Sequence, residues 1–337
     1  VSGVAVSIHF ITSATNGEAM RAARFHEHGG PEVLTVDEVD DPDPDHGQVL
    51  VDVEAAAVNP VDTYFREGEY PVPHLPFIGG SDVAGTVAAV GDGVEHFAVG
   101  DRAFGTGLGN GMPGSYAERV AAPADFLAHL PEGVGFDTAA ALALVGTTAW
   151  QGLVHHAAVE PAETVLVHGG SGGVGHVAIQ LAETMGARVH ATASAEDAAD
   201  LESLGASEVF YYTREDLEAA VVDAGGADVV VDLHMDQYLQ FNANVANAGA
   251  RVIGIGNDTS SGKFDDIGIT KGKEIRYQFM SMYNADDIGA VLERLADLCA
   301  RGEVAPVIYE TYDLDETAEA QRAVLEDSFL GKLVITP

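Results

Sequence analysis

The sequence predicts an α/β protein, with a doubly wound parallel sheet in its second half and a β-rich domain before it. Three observations carry this. After residue 145, strand-like and helix-like segments alternate regularly. The first such strand runs into a glycine-rich loop that opens an amphipathic helix. Before residue 145, short strand-like runs are separated by glycine and proline clusters. The expected organisation is an N-terminal extension (1–19), the β-rich domain (20–144), the parallel sheet (145–284) and a return to the first domain (285–337).

Composition bounds the function. The chain has 337 residues, with 16 Lys plus Arg against 53 Asp plus Glu, a formal charge of -37. That length favours two domains sharing a cleft. A hydrophobic fraction of 47% excludes a disordered acidic chain, which lacks apolar surface to bury. One cysteine, Cys299, excludes an intrachain disulfide and a multi-cysteine zinc site. The negative surface would repel phosphate backbones, so no nucleic-acid partner is expected. Lysine is confined to Lys263, Lys271, Lys273 and Lys332. Such an acidic, lysine-poor surface resembles that of proteins from salt-loving microbes, since at ~1 M salt charges are screened within ~3 Å. No run reaches the ~20 apolar residues of a membrane helix. The mildly apolar patch at 4–11 has no basic stretch before it, so a signal peptide is not expected and the protein reads as cytoplasmic.

In the first domain, residues 48–58, 83–90 and 119–123 have strand character, and 40–47, 71–76, 91–93 and 105–115 read as turns. The second half begins with a buried-type strand at 164–168. A helix follows over 173–185, with Val174, Val177, Ala178, Leu181 and Met185 on one face and Gly186 as its stop. Strands at 188–193, 209–212, 227–232, 251–255 and 275–279 alternate with helices at 195–204, 216–224 and 237–246. A helix at 285–301 follows. Two strand-like pieces, 307–312 and 332–335, flank another helix in the tail.

The strongest motif is Gly170-x-Gly172-x-x-Gly175, with Ser171, Gly173 and Val174 completing the loop. Glycines let the backbone turn sharply and approach a pyrophosphate, whose charge meets free N–H groups at the helix start. This is the fingerprint of a Rossmann domain that binds a nicotinamide dinucleotide. Sites for NAD usually place an acid at the end of the second strand, against the ribose 2′-OH. Here that strand ends on Ser194, which leaves room for a 2′-phosphate and favours NADP(H). Glu196 and Asp197 follow at once, and Arg214 is the nearest candidate cation.

Several ordered motifs then converge: Asn59-Pro60-Val61-Asp62-Thr63-Tyr64-Phe65-Arg66 with Tyr70, Gly80-Ser81-Asp82-Val83-Ala84-Gly85, Val99-Gly100-Asp101-Arg102, Gly114-Ser115-Tyr116-Ala117-Glu118 and Gly146-Thr147-Thr148-Ala149-Trp150. With them, residues 20–337 resemble the zinc-free, zeta-crystallin-like quinone oxidoreductases of the medium-chain dehydrogenase/reductase family. The resemblance implies a GroES-like catalytic domain, a Rossmann domain and an active cleft between them. It implies that Asn59, Asp62, Tyr64, Tyr70 and Thr147 line the nicotinamide end, and that Tyr212 lies near the adenosine phosphate. Gly254, Phe279 and Ser281 sit at later strand ends, where ligands collect in open α/β sheets. Lys332 reads either as a cofactor neighbour or as a salt-bridged surface lysine. Zinc-dependent relatives carry cysteine and histidine in the cleft; here Asn59, Asp62, Ser81 and Asp82 stand there, so no metal is expected. Gly79 replaces a usual proline.

The implied reaction is reduction of a quinone by NADPH, with Tyr64 as the donor to the forming oxyanion; Tyr64 also reads as a packed tyrosine bonded to backbone. Reduction of alkenals or enoyl thioesters is the alternative within enzymes, and a non-catalytic, crystallin-like NADPH-binding protein the alternative outside them. A homodimer is expected.

Overall fold

The computed structural model describes residues 19–337; of the expected extension over residues 1–19, residues 1–18 lie outside the described residues, and Ala19 begins the first strand. Among the described residues no helix is long and apolar enough to cross a membrane.

The first domain opens with a hairpin of β1 (Ala19–Phe25) and β2 (Leu34–Asp40), joined by antiparallel pairing. The long strand β3 (Gln48–Ala57) follows, with buried and half-exposed residues alternating over its first half. Helix α1 (Pro60–Glu67) comes next. Pro60 at its first position lacks an N–H that no helix would use there, and Gly68 closes it at φ 85°. Then come β4 (Phe77–Ile78), β5 (Val83–Val90), β6 (Arg102–Gly105), β7 (Arg119–Pro123) and β8 (Leu127–His129).

Helix α2 (Phe136–Trp150) leads into the second domain. It has ten buried residues, five of them alanine, spread around its faces. Because it lacks a polar stripe, it shows no helical period in the sequence. It runs through residue 144, packing on β3 of the first domain and on the helix that follows the glycine loop.

The second domain is β9 (Thr164–His168), α3 (Gly173–Thr184), β10 (Arg188–Ala193), α4 (Ala198–Ser203), β11 (Ala206–Tyr211), α5 (Leu217–Asp223), β12 (Ala227–Asp232), α6 (Met235–Val245), β13 (Ala246–Gly254), α7 (Ile267–Gly272) and β14 (Arg276–Phe279). Its strands are parallel, in the order β11-β10-β9-β12-β13-β14. The order reverses between β9 and β12, where a doubly wound sheet opens a ligand crevice. β9, β10 and β12 coincide with the strands expected from the sequence. β13 starts five residues early, because Ala246 to Ala250 consists of Ala, Asn and Gly, residue types depleted in strands.

Helix α8 (Ile288–Ala300) precedes β15 (Ile308–Asp313), α9 (Thr317–Glu326) and β16 (Lys332–Thr336). β16 pairs antiparallel with β3 and extends the first domain's sheet as β15-β16-β3-β5-β6-β8. This pairing puts Lys332 beside the chain leaving β3.

Candidate active site

The glycine loop joins β9 to α3. Gly169 has φ 71°, and the Gly170 amide donates to Thr192 O on β10 at 2.9 Å. A Cβ on Gly175 would sit 2.1 Å from Gly169 O, and one on Gly170 3.1 Å from Ala191 Cβ. Helix and strand therefore approach too closely for side chains. Gly173 serves the other flank: a Cβ there would lie 3.0 Å from Lys332 Cδ and 3.2 Å from Val145 Cγ1. The first-turn amides of α3 have no carbonyl four residues back and face a cavity of about 710 Å³.

The facing wall contains Val58, Asn59, Pro60, Tyr64 and Lys332. Lys332 is 3% exposed. Its Nζ donates to Val58 O at 2.6 Å and Asn59 Oδ1 at 2.5 Å. Asn59 Nδ2 donates to Asp82 Oδ2 at 2.8 Å, while Asp82 Oδ1 accepts from the Leu144 amide at 2.9 Å. Asn59 thus bridges a buried ammonium and a buried carboxylate. Burial pushes Asp82 up to about 7, against the pull of Lys332 and its hydrogen bonds. Burial pushes Lys332 down, opposed by Asp82 and Asp62.

The expected site residues divide. Asn59, Tyr64, Ser171, Gly172, Gly173, Val174, Tyr212 and Lys332 line this cavity; Gly170 and Gly175 shape its cradle from behind. The other residues lie outside its lining. Asp62 is buried and accepts from the Asn59 amide (2.9 Å), Ser81 Oγ (2.6 Å) and Tyr116 OH (2.7 Å), a full set of partners that fixes the start of α1. Thr147 is buried in α2, its Oγ1 without a hydrogen-bond partner. Tyr70, 44% exposed, stacks edge-on against Tyr64 with centroids 5.8 Å apart. Gly254 packs under Phe279, which is 53% exposed, and Ser281 is exposed beyond it. The surface reading of Lys332 is overturned, because β16 carries it into the interior.

Ser194 does not stand open at the end of β10. Its Oγ donates to Asp197 Oδ2 at 2.9 Å, so a carboxylate is held at that strand end. Arg214 is engaged by Asp216 at 2.7 Å and 3.0 Å on the surface.

Sequence reasoning missed several residues. Asp82 and Tyr116 lay inside quoted motifs but read only as replacements or fold markers. Tyr238, Thr192 and His234 line the cavity, and only the doubly wound order of the strands brings them there. Tyr283 reaches Ser81 at 3.4 Å across the two domains, with burial raising its phenol above the usual range. Among the described residues, no three His, Cys, Asp or Glu side chains gather to hold a metal.

Residues 45–132 match the alcohol dehydrogenase GroES-like domain family, and 204–335 match the zinc-binding dehydrogenase family. The chain is 35% identical to human quinone oxidoreductase over 338 residues, covering 96% of this chain and 99% of the relative. It is 31% identical to quinone oxidoreductase of Pseudomonas aeruginosa over 324 residues, covering 93% and 98%. Among solved structures, quinone oxidoreductase of Pseudomonas syringae superposes with a TM-score of 0.85 at 33% identity, covering 94% of this chain and 100% of the other. Escherichia coli quinone oxidoreductase complexed with NADPH superposes with a TM-score of 0.84 at 29% identity, with the same coverage. A GroES-like domain, a Rossmann sheet and full-length likeness to quinone oxidoreductases make this chain a member of the medium-chain dehydrogenase/reductase family.

Proposed function

We propose that the protein reduces quinones with a nicotinamide dinucleotide, NADPH, in the cavity between its domains and without zinc. One observation carries the reading: the glycine cradle and the Asn59–Tyr64–Lys332 wall share a single cavity. The residues present fit the dinucleotide. Its pyrophosphate needs close backbone approach and unpaired amides, which the bare glycines at the start of α3 offer. The cavity volume falls in the ordinary ligand range.

When bound, a reduced nicotinamide supplies hydride chemistry. The chain's own residues orient and balance charge. Burial raises the Tyr64 phenol above its usual range, with nearby Glu69 adding to the effect, so Tyr64 keeps its proton at neutral pH. It can donate to a substrate oxygen gaining negative charge. Lys332 places its Nζ on the same wall, where burial loosens its hold on the proton and Asp82 and Asp62 oppose that loosening. A quinone spreads the added charge over its ring, so these groups suffice where a saturated carbonyl would ask for a Lewis acid. The cleft residues Asn59, Asp62, Ser81 and Asp82 are bonded to one another, which supports zinc independence. The serine at the end of β10 supports NADPH; Asp197 beside it narrows the expected margin over NADH.

The test is calorimetric titration with NADPH and NADH, then assay with small quinones, 2-alkenals and enoyl thioesters. Faster turnover of quinones supports the proposal. Faster turnover of the alkenes replaces the substrate class, and tight binding without turnover of any of them refutes an enzyme.

A further inference from the structure

Beneath the cradle lies a buried hydrogen-bond chain. Asp232, ending β12, accepts from Asn242 Nδ2 at 2.6 Å and from the His234 amide at 2.9 Å. Asn242 Oδ1 on α6 lies 2.9 Å from His168 Nε2. His168, ending β9, has Nδ1 3.1 Å from Thr192 Oγ1 on β10. Thr192 Oγ1 in turn lies 3.3 Å from the Gly169 amide. All four side chains are buried.

The direction of every bond follows from the donor inventory. The Asp232 carboxylate only accepts, so Asn242 turns its NH₂ to Asp232 and its oxygen to His168. That oxygen needs a donor, which places a proton on His168 Nε2. A neutral imidazole then has a bare Nδ1, which accepts from the Thr192 hydroxyl. The Thr192 oxygen is left to accept from the Gly169 N–H. Burial pushes His168 down to about 4, so the ring is neutral at pH 7, in agreement with this assignment.

The far end of this chain is the first residue of the cradle. Gly169 lines the cavity, its carbonyl accepts from the Gly172 amide at 3.1 Å, and that same carbonyl leaves no room for a side chain on Gly175. Tyr238, stacked on the His168 ring at 4.3 Å, also lines the cavity. We propose that His168, Asn242 and Thr192 are positioning residues that hold the Gly169 peptide, and through it the phosphate cradle, in its binding shape. The ligand rests on the functional reading above; the hydrogen-bond chain does not.

The test combines amide hydrogen exchange, ¹⁵N spectra of the imidazole and calorimetric titration with NADPH. Thr192→Val keeps the side-chain shape and removes the hydroxyl. It should raise the exchange rate of the Gly169 amide and weaken NADPH binding about tenfold, the effect of one buried hydrogen bond. Thr192→Ser should restore most of both. His168→Phe keeps a ring against Tyr238 and loses both nitrogens; combined with Thr192→Val it should add little, because the two act in one chain. Wild-type exchange and affinity in Thr192→Val, or a proton on His168 Nδ1, would overturn the proposal. If the wild type binds no dinucleotide, the functional reading falls, and exchange and the imidazole spectrum still decide the positioning role.

Discussion

The cradle wall of the cavity comes largely from one stretch, residues 169–174, and acts through backbone atoms; the facing wall collects Asn59, Tyr64 and Lys332 from distant segments and acts through side chains. The first is set by what glycine permits locally. The second exists only after β16 pairs with β3 and buries Lys332 against Val58 and Asn59. The two walls should therefore fail differently: the cradle by steric crowding, the facing wall by an uncompensated charge.

The largest effect is expected from Asp82→Ala. It leaves the Asn59 side-chain amide and the Leu144 N–H without their shared acceptor and removes the carboxyl that offsets Lys332; each buried donor left unpaired costs about 1–3 kcal/mol. Chemical denaturation would measure it. The double variant Asp82→Ala with Lys332→Met should cost less than the two single variants summed, since no buried charge is then left alone. The same group makes stability depend on pH. Its folded value of about 7 lies above the ordinary 3.8, so the folded state holds the proton more tightly. Its contribution is present below pH 3.8 and lost as pH rises through 7. The stability gap between wild type and Asp82→Ala should narrow over that window. A gap constant with pH would show that Asp82 is ionised throughout.

A smaller cost, about 1–3 kcal/mol, is expected from Gly175→Ala, whose methyl meets Gly169 O at 2.1 Å. Dinucleotide binding should fall with it. Gly172→Ala, whose nearest atom lies at 3.4 Å, should fold as the wild type does. Equal behaviour of the two would contradict the cradle geometry.

Tyr64→Phe tests the facing wall without unfolding it. We expect kcat to fall about 10- to 100-fold, at or below the usual effect of a positioned acid, with NADPH affinity unchanged. A drop in affinity instead would assign Tyr64 to binding.

The smallest effect per charge is the most widespread. With a net charge of -37, thermal melts should rise as KCl goes from low to multimolar concentration, because screening relieves self-repulsion. A melting point that falls with salt would count against the halophilic reading.

The contrast between the walls explains what the sequence shows. The parallel sheet and the cradle were legible because strand, loop and helix follow one another within about 20 residues. Tyr64 and Asn59 came from a resemblance and line the cavity. Asp62 and Thr147, suggested the same way, lie buried outside it, since a motif does not say which side chains of a turn face inward. Helix α2 carried no period because small and apolar residues are buried on all its faces. Lys332 reads from sequence either as a cofactor neighbour or as a surface lysine, and only the pairing of its strand decides between them; the Asp232–Asn242–His168–Thr192 chain joins four elements that no local pattern connects.

The central claim is that the two walls act on one pair of ligands. Anaerobic mixing of the protein with NADPH and a small quinone tests it most directly, following cofactor oxidation and hydroquinone formation together. The account predicts one hydroquinone formed per NADPH oxidised, with turnover lost in Gly175→Ala through binding and reduced in Tyr64→Phe through kcat. NADPH bound tightly but left unoxidised by any quinone would contradict it.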